Sequence, residues 1–175
     1  MNKITENTLK PEKKYTMKTA IIYATRHGCT EKCAKELANQ LPQNAALINL
    51  DQSTDINLQA FETIILGGSI HAGSLNKKLS KHIEKYGKTL ESKKIGLFLC
   101  CMEEGEKAEE QFENAFPGYL KSKAIAKGLF GGEFNFERMN FFEKAIIKKI
   151  AKTDQSVSKI NYSTIEEFSK KFKTQ

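Results

Sequence analysis

The chain alternates short β-prone apolar runs with amphipathic helical stretches, and this alternation narrows its fold more than any other feature. Thr19-Ala20-Ile21-Ile22-Tyr23-Ala24 is almost continuously apolar, as expected of a strand buried on both faces of a parallel sheet. Cys33, Leu37, Ala38 and Leu41 then recur at helical spacing, and Pro42 stops that helix. Further strands are predicted at Ala46–Leu50, Thr63–Gly68, Ile95–Cys101 and Lys123–Phe130. Leu75, Leu79, Ile83 and Tyr86 mark a helix, and Lys107–Phe116 a charged one closed by Pro117-Gly118. Two more helices fit Phe136–Lys152 and Thr164–Phe172. Such alternation predicts an α/β doubly wound sheet with right-handed crossovers. A length of 175 residues without repeats or low-complexity linkers suits one domain. Residues 1–16 lack periodicity and are expected to be a flexible N-terminal tail, with the domain spanning 17–175.

In a doubly wound sheet, ligands bind beyond the carboxyl ends of the strands. The first strand ends in Thr25-Arg26-His27-Gly28-Cys29-Thr30, and a helix follows at once. This junction aims backbone N–H groups and a positive helix end at an anion. Gly28 permits a positive φ or a close backbone approach, and Thr25 and Thr30 add hydroxyls. Thr30 also reads as the helix N-cap. The loop is neither GxGxxG nor GxxxxGK[ST], which disfavours dinucleotides and P-loop nucleotides and favours a monophosphate without a metal. On these residues the chain resembles the flavodoxin family, whose FMN phosphate loop follows its first strand. The resemblance implies a flavodoxin-like three-layer sandwich with a five-stranded parallel sheet in the order 2-1-3-4-5. It also implies that Thr25, Arg26, His27, Gly28, Cys29 and Thr30 wrap the FMN phosphate.

In that family the loops after the third and fourth strands flank the flavin ring. Here they are Gly68-Ser69-Ile70-His71-Ala72-Gly73-Ser74 and Cys101-Met102-Glu103-Glu104-Gly105. The resemblance therefore assigns Ser69, Ile70, His71, Ala72, Gly73, Cys101, Met102 and Glu103 to the cofactor. The chain has no Trp, and neither loop holds an aromatic apart from His71. That implies an accessible flavin, which suits an enzyme better than a carrier. His71 reads either as a proton donor beside flavin N5 or as an exposed loop histidine.

The four cysteines show no CxxC pair or Cys/His spacing, so no metal site is expected. Cys100 and Cys101 are adjacent on a strand and point to opposite faces. They are candidates for a thiol mechanism or inert core residues. Free thiols, with no apolar leader and no apolar run of spanning length, predict a cytoplasmic protein. A net charge of +7 favours anionic partners, but no aromatic–basic motif points to nucleic acid.

The chain continues past its fifth strand with Gly131-Gly132, a Phe-rich basic stretch, Thr153-Asp154 and Tyr162–Phe168. On one helix Met139, Phe142, Ile146 and Ile150 share a face and Lys144, Lys148 and Lys152 another. This reads either as a helix packed on the sheet with solvated lysines or as a basic helix at an anionic membrane or near a quinone. With Met17–Ile22 and Gly68–His71, this tail resembles the menaquinone-dependent protoporphyrinogen oxidases of flavodoxin type. That resemblance implies oxidation of protoporphyrinogen IX on FMN, in heme biosynthesis, with electrons passed to a quinone at the inner membrane face. The short connection from Met102 to Lys123 departs from it, because those oxidases carry a longer basic insert there. The alternative is an electron-transfer protein that serves a redox-partner protein and has no substrate of its own.

Overall fold

The computed structural model describes residues 19–53, 55–151 and 155–173. The expectations for residues 1–16 and for Thr153-Asp154 lie outside the described residues.

Five strands form a parallel sheet: β1 (Thr19–Tyr23), β2 (Ala45–Asn49), β3 (Thr63–His71), β5 (Lys94–Cys100) and β6 (Ala124–Leu129). Their spatial order, β2-β1-β3-β5-β6, is the expected 2-1-3-4-5. A two-residue strand, β4 (Ser74–Leu75), adds antiparallel to the end of β3. Helices α1 (Cys29–Gln40) and α6 (Tyr162–Lys170) cover one face, and α2 (Lys77–Glu91), α3 (Gly105–Ala115) and α4 (Gly118–Lys123) serve the other. The predicted alternation holds because the central strands bury both faces: Ile64, Ile65, Leu66, Ile95, Leu97 and Phe98 are all inaccessible to solvent. At α1, the predicted stripe supplies Cys33 and Leu37 to the core.

The α6 face is packed with aromatics. Phe98 stacks on Phe130 with centroids 4.6 Å apart, and Phe168 meets Phe130 edge-on. Phe98 fits because its strand neighbour on β3 is Gly67, whose missing side chain leaves the volume that the ring fills.

Several boundaries differ from the periodic reading. β3 runs to His71, and Leu75 belongs to β4, so α2 begins only at Lys77, capped by the Asn76 side chain. α4 occupies the stretch read as turn and strand start, because Gly118–Lys123 is too short to show a helical period. The long helix over 136–152 is instead a 3-10 turn at Phe136–Arg138 followed by α5 (Phe141–Ala151). Around it, β7 (Glu133–Phe134) pairs antiparallel with β8 (Val157–Ser158), making an excursion between β6 and α6.

His82 on α2 is buried against Tyr86, with ring centroids 4.6 Å apart, and its Nε2 lacks a hydrogen-bond partner among the described residues. Burial, helped by Lys85, lowers its pKa from 6.5 to about 4. The folded protein therefore binds fewer protons than the unfolded chain between those values, and stability falls as pH drops through that window. The loss from this group is expected to approach roughly 3 kcal/mol by pH 4. Urea unfolding at pH 7 and pH 4 should show His82→Phe flattening this dependence; an unchanged slope would remove His82 from the account.

Candidate functional site

β1 is bonded to both neighbours up to its end. The Ala24 N–H donates to the Gly67 carbonyl on one side, and the Leu50 N–H donates to the Tyr23 carbonyl on the other. The chain then turns through Thr25–Gly28. The Gly28 N–H donates to Thr25 Oγ1 at 3.0 Å, and Gly28 adopts φ +94°, a left-handed conformation that suits glycine. α1 starts at Cys29 with Gly28 at its N-cap and no side-chain cap. The expectation that Thr30 caps the helix is therefore corrected: Thr30 lies inside the first turn. Its hydroxyl is fully buried and lacks a hydrogen-bond partner among the described residues. A buried orphan hydroxyl is costly, and here it sits beside the leading N–H groups that a helix start leaves open.

The excursion between β6 and α6 folds onto this loop. Glu143 on α5 accepts a hydrogen bond from His27 Nε2 at 3.2 Å and forms an ion pair with Arg26 at 2.5 Å. The Asn140 N–H donates to the same carboxylate at 3.0 Å. Burial alone would raise the Glu143 pKa, but Asn140, His27 and Arg26 hold it below its ordinary value. Arg138 lies over Gly28, and a Cβ at that position would strike its guanidinium.

Ser69, Ile70 and His71 were expected in a loop but lie on β3, Ser69 paired with Cys100 of β5 and Ile70 and His71 with β4; a tight turn through Ala72 and Gly73, both with positive φ, leads into β4. This turn lies beside the phosphate loop. Arg26 Nη1 donates to His71 Nε2 at 2.8 Å, and the His27 and His71 rings are 6.4 Å apart. Burial first, then the Arg26 charge, lowers the His71 pKa. As an acceptor at Nε2, His71 carries its proton on Nδ1. In this arrangement Nε2 has no proton to give.

Residues 20–160 match the family model described as a flavodoxin domain. The chain belongs to the flavodoxin-domain family. No curated protein matches its sequence significantly. Its fold is similar to that of rubredoxin oxygen:oxidoreductase from Desulfovibrio gigas, with TM-score 0.53 and 16% identity, covering 91% of this chain and 38% of that one. The chain thus spans well under half the length of that protein. It is also similar to a WrbA-like flavodoxin from Agrobacterium tumefaciens, with TM-score 0.51 and 18% identity over 89% of this chain and 90% of that one. Flavodoxin 1 from Bacillus cereus gives TM-score 0.50 and 16% identity over 88% and 95%. At such identities the likeness is one of fold.

FMN is the cofactor this family implies, and the residues of this flavodoxin domain fit it. The unpartnered Thr30 hydroxyl, the left-handed Gly28 and the guanidinium groups of Arg26 and Arg138 suit a phosphate. The second expected segment follows β5 directly. Cys101 is buried, Met102 half-buried and Glu103 exposed, and the Cys101 N–H donates to the Gly131 carbonyl at 3.0 Å. Gly132 packs so closely here that a Cβ would lie 2.6 Å from the Cys101 carbonyl oxygen.

Arg138, Asn140 and Glu143 were missed from the sequence. They stand more than a hundred residues from the loop they cover, and no local period marks them. Cys29, Cys33 and Cys100 converge, with sulfur atoms all within 4.8 Å of one another, a grouping that no sequence spacing marks. Cys101 faces the opposite side of the sheet, as the strand alternation required.

Proposed function

We propose that this flavodoxin-domain protein is an FMN-dependent redox protein that holds the cofactor phosphate on Thr25–Thr30. The buried, unpartnered Thr30 hydroxyl at the start of α1 carries this reading. Arg26 and Arg138 supply charge, Gly28 supplies the turn, and Ser69–Gly73 with Cys101–Glu103 flank the ring. FMN supplies one- and two-electron chemistry when bound. The chain binds it and orients it. Equilibrium dialysis against FMN tests this: the expected result is one yellow equivalent per chain, and a colourless protein that refuses FMN would sink the proposal.

Within that reading, the protein oxidises a substrate of its own, in the manner of protoporphyrinogen oxidation with a quinone as acceptor. Two observations favour it over the carrier alternative. The flanking segments carry no Trp, Tyr or Phe to cover a ring. A depression beside the β3–β4 turn, lined by Ile70, Ser74, Leu75, Gln111, Asn114 and Ala115, offers room for a substrate at the strand carboxyl ends. Arg26 occupies the free lone pair of His71 at Nε2, so in this arrangement that nitrogen is neither a proton donor nor a base. The connection from Met102 to Lys123 is taken up by α3 and α4 and departs from the oxidase pattern.

The α5 surface gives the quinone a route. Phe141 and Phe142 are 80% and 77% exposed, and Ile146 is exposed too. The face expected to pack on the sheet is therefore solvent-facing, which overturns the packed-helix expectation for Phe142 and Ile146. No helix among the described residues is long and apolar enough to cross a membrane, so contact would be peripheral, through these rings and the neighbouring lysines. Co-sedimentation with anionic vesicles should fall severalfold in Phe141→Ser/Phe142→Ser; equal pelleting would remove the membrane route. Turnover of protoporphyrinogen with menaquinone by FMN-loaded protein tests the substrate. Reduction only through a partner reductase would leave the carrier.

A further inference from the structure

Cys29 and Cys33 are four residues apart on α1, so their side chains share one helix face. That face meets the end of β5, where Cys100 points toward α1 and α6 beside Phe98 and Phe130. The three sulfurs, drawn from two elements, are buried and lie within 4.8 Å of one another. We propose that Cys29, Cys33 and Cys100 form a closed three-thiolate site for a thiophilic monovalent metal ion of the Cu(I) class.

Geometry separates this from the other fates of three thiols. Metal–sulfur bonds of about 2.3 Å place trigonal sulfur atoms about 4 Å apart, which fits the observed spread with small rotamer shifts. A disulfide needs two of them at about 2.05 Å, a larger contraction in a packed core. A structural Zn(II) site takes four ligands, and among the described residues no fourth Cys, His, Asp or Glu joins the cluster. The nearby Glu133 carboxylate is engaged by Lys32 at 3.0 Å. Burial leaves little room for water as the missing ligand, so a soft ion satisfied by three sulfurs is selected.

Cys29 opens α1, where the helix dipole favours a thiolate. Binding forms three metal–sulfur bonds, breaks three S–H bonds and releases three protons to solvent, with no change in oxidation state.

The test uses the full chain, reduced and kept anaerobic, competing for Cu(I) against a chromophoric chelator such as bicinchoninate. One equivalent withdrawn per chain is expected, with X-ray absorption reporting three sulfurs on copper. Cys33→Ala and Cys100→Ala, each checked for native circular dichroism, should bind roughly a hundredfold more weakly. Failure to compete with the chelator, a copper shell containing nitrogen or oxygen, or undiminished binding in folded alanine variants would each overturn the site. Retention of Zn(II) in preference to Cu(I) would overturn the closed trigonal assignment. FMN content is recorded in parallel, and its loss or retention bears on the phosphate loop rather than on this site.

Discussion

Replacing Thr30 with valine is expected to weaken FMN binding roughly ten- to a hundredfold while leaving the FMN-free protein as stable as before, or more so. The two halves have one cause. Valine matches threonine in shape but lacks the hydroxyl, and the Thr30 hydroxyl is fully buried without a partner among the described residues. An unpaired buried hydroxyl costs about 1–3 kcal/mol, so its removal does not harm the empty fold. A hydrogen bond to a charged phosphate is worth about 1.5–3 kcal/mol, which converts to the stated range of affinity. Flavin fluorescence titration reads the first half and urea unfolding of FMN-free protein the second. Unchanged affinity would show that the phosphate lies elsewhere. Lower stability of the empty variant would show that the hydroxyl already has a partner.

The sheet was legible because its central strands are buried on both faces, and a continuous apolar run such as Ala20–Ala24 has few other uses. The phosphate loop was legible because strand, glycine and helix start are neighbours in sequence. What covers that loop was not. Glu143 meets His27 and Arg26 only because β7 and β8 pair across a long excursion, and no spacing rule connects residue 27 with residue 143. α5 was legible only in part, for a related reason. Its apolar period was compatible with packing on the sheet or with an outward apolar face, and Phe142 and Ile146 face solvent; a period reports that a helix has an apolar face and not what covers it. The thiol cluster failed in a third way. Cys29 and Cys33 share a helix face by their spacing, but Cys100 joins them through strand packing alone.

The excursion hangs on Gly131, and Gly131→Ala should cost about 3 kcal/mol or more and release FMN. Gly131 has φ +72°, and a Cβ there would land on the Lys159 carbonyl, 2.9 Å from its carbon and 3.3 Å from the Asn161 nitrogen. These are backbone atoms held by their own bonds: the Lys159 N–H donates to the Gly132 carbonyl at 2.8 Å and the Asn161 N–H to the Phe130 carbonyl at 2.9 Å. The returning chain must therefore move away, and Arg138 and Glu143, carried on the same excursion, would leave the phosphate loop with it. The Gly131 carbonyl, which fixes Cys101, would shift too. Gly105→Ala is the comparison that isolates the clash. Gly105 also has a positive φ, +57°, but a Cβ there meets nothing within 4 Å, so backbone strain alone is expected, about 1 kcal/mol. Chemical denaturation of both variants separates the effects. Equal losses would mean that the excursion yields easily at Lys159. Retained FMN in a destabilised Gly131→Ala would mean that the loop holds phosphate without the cover that Arg138 and Glu143 provide.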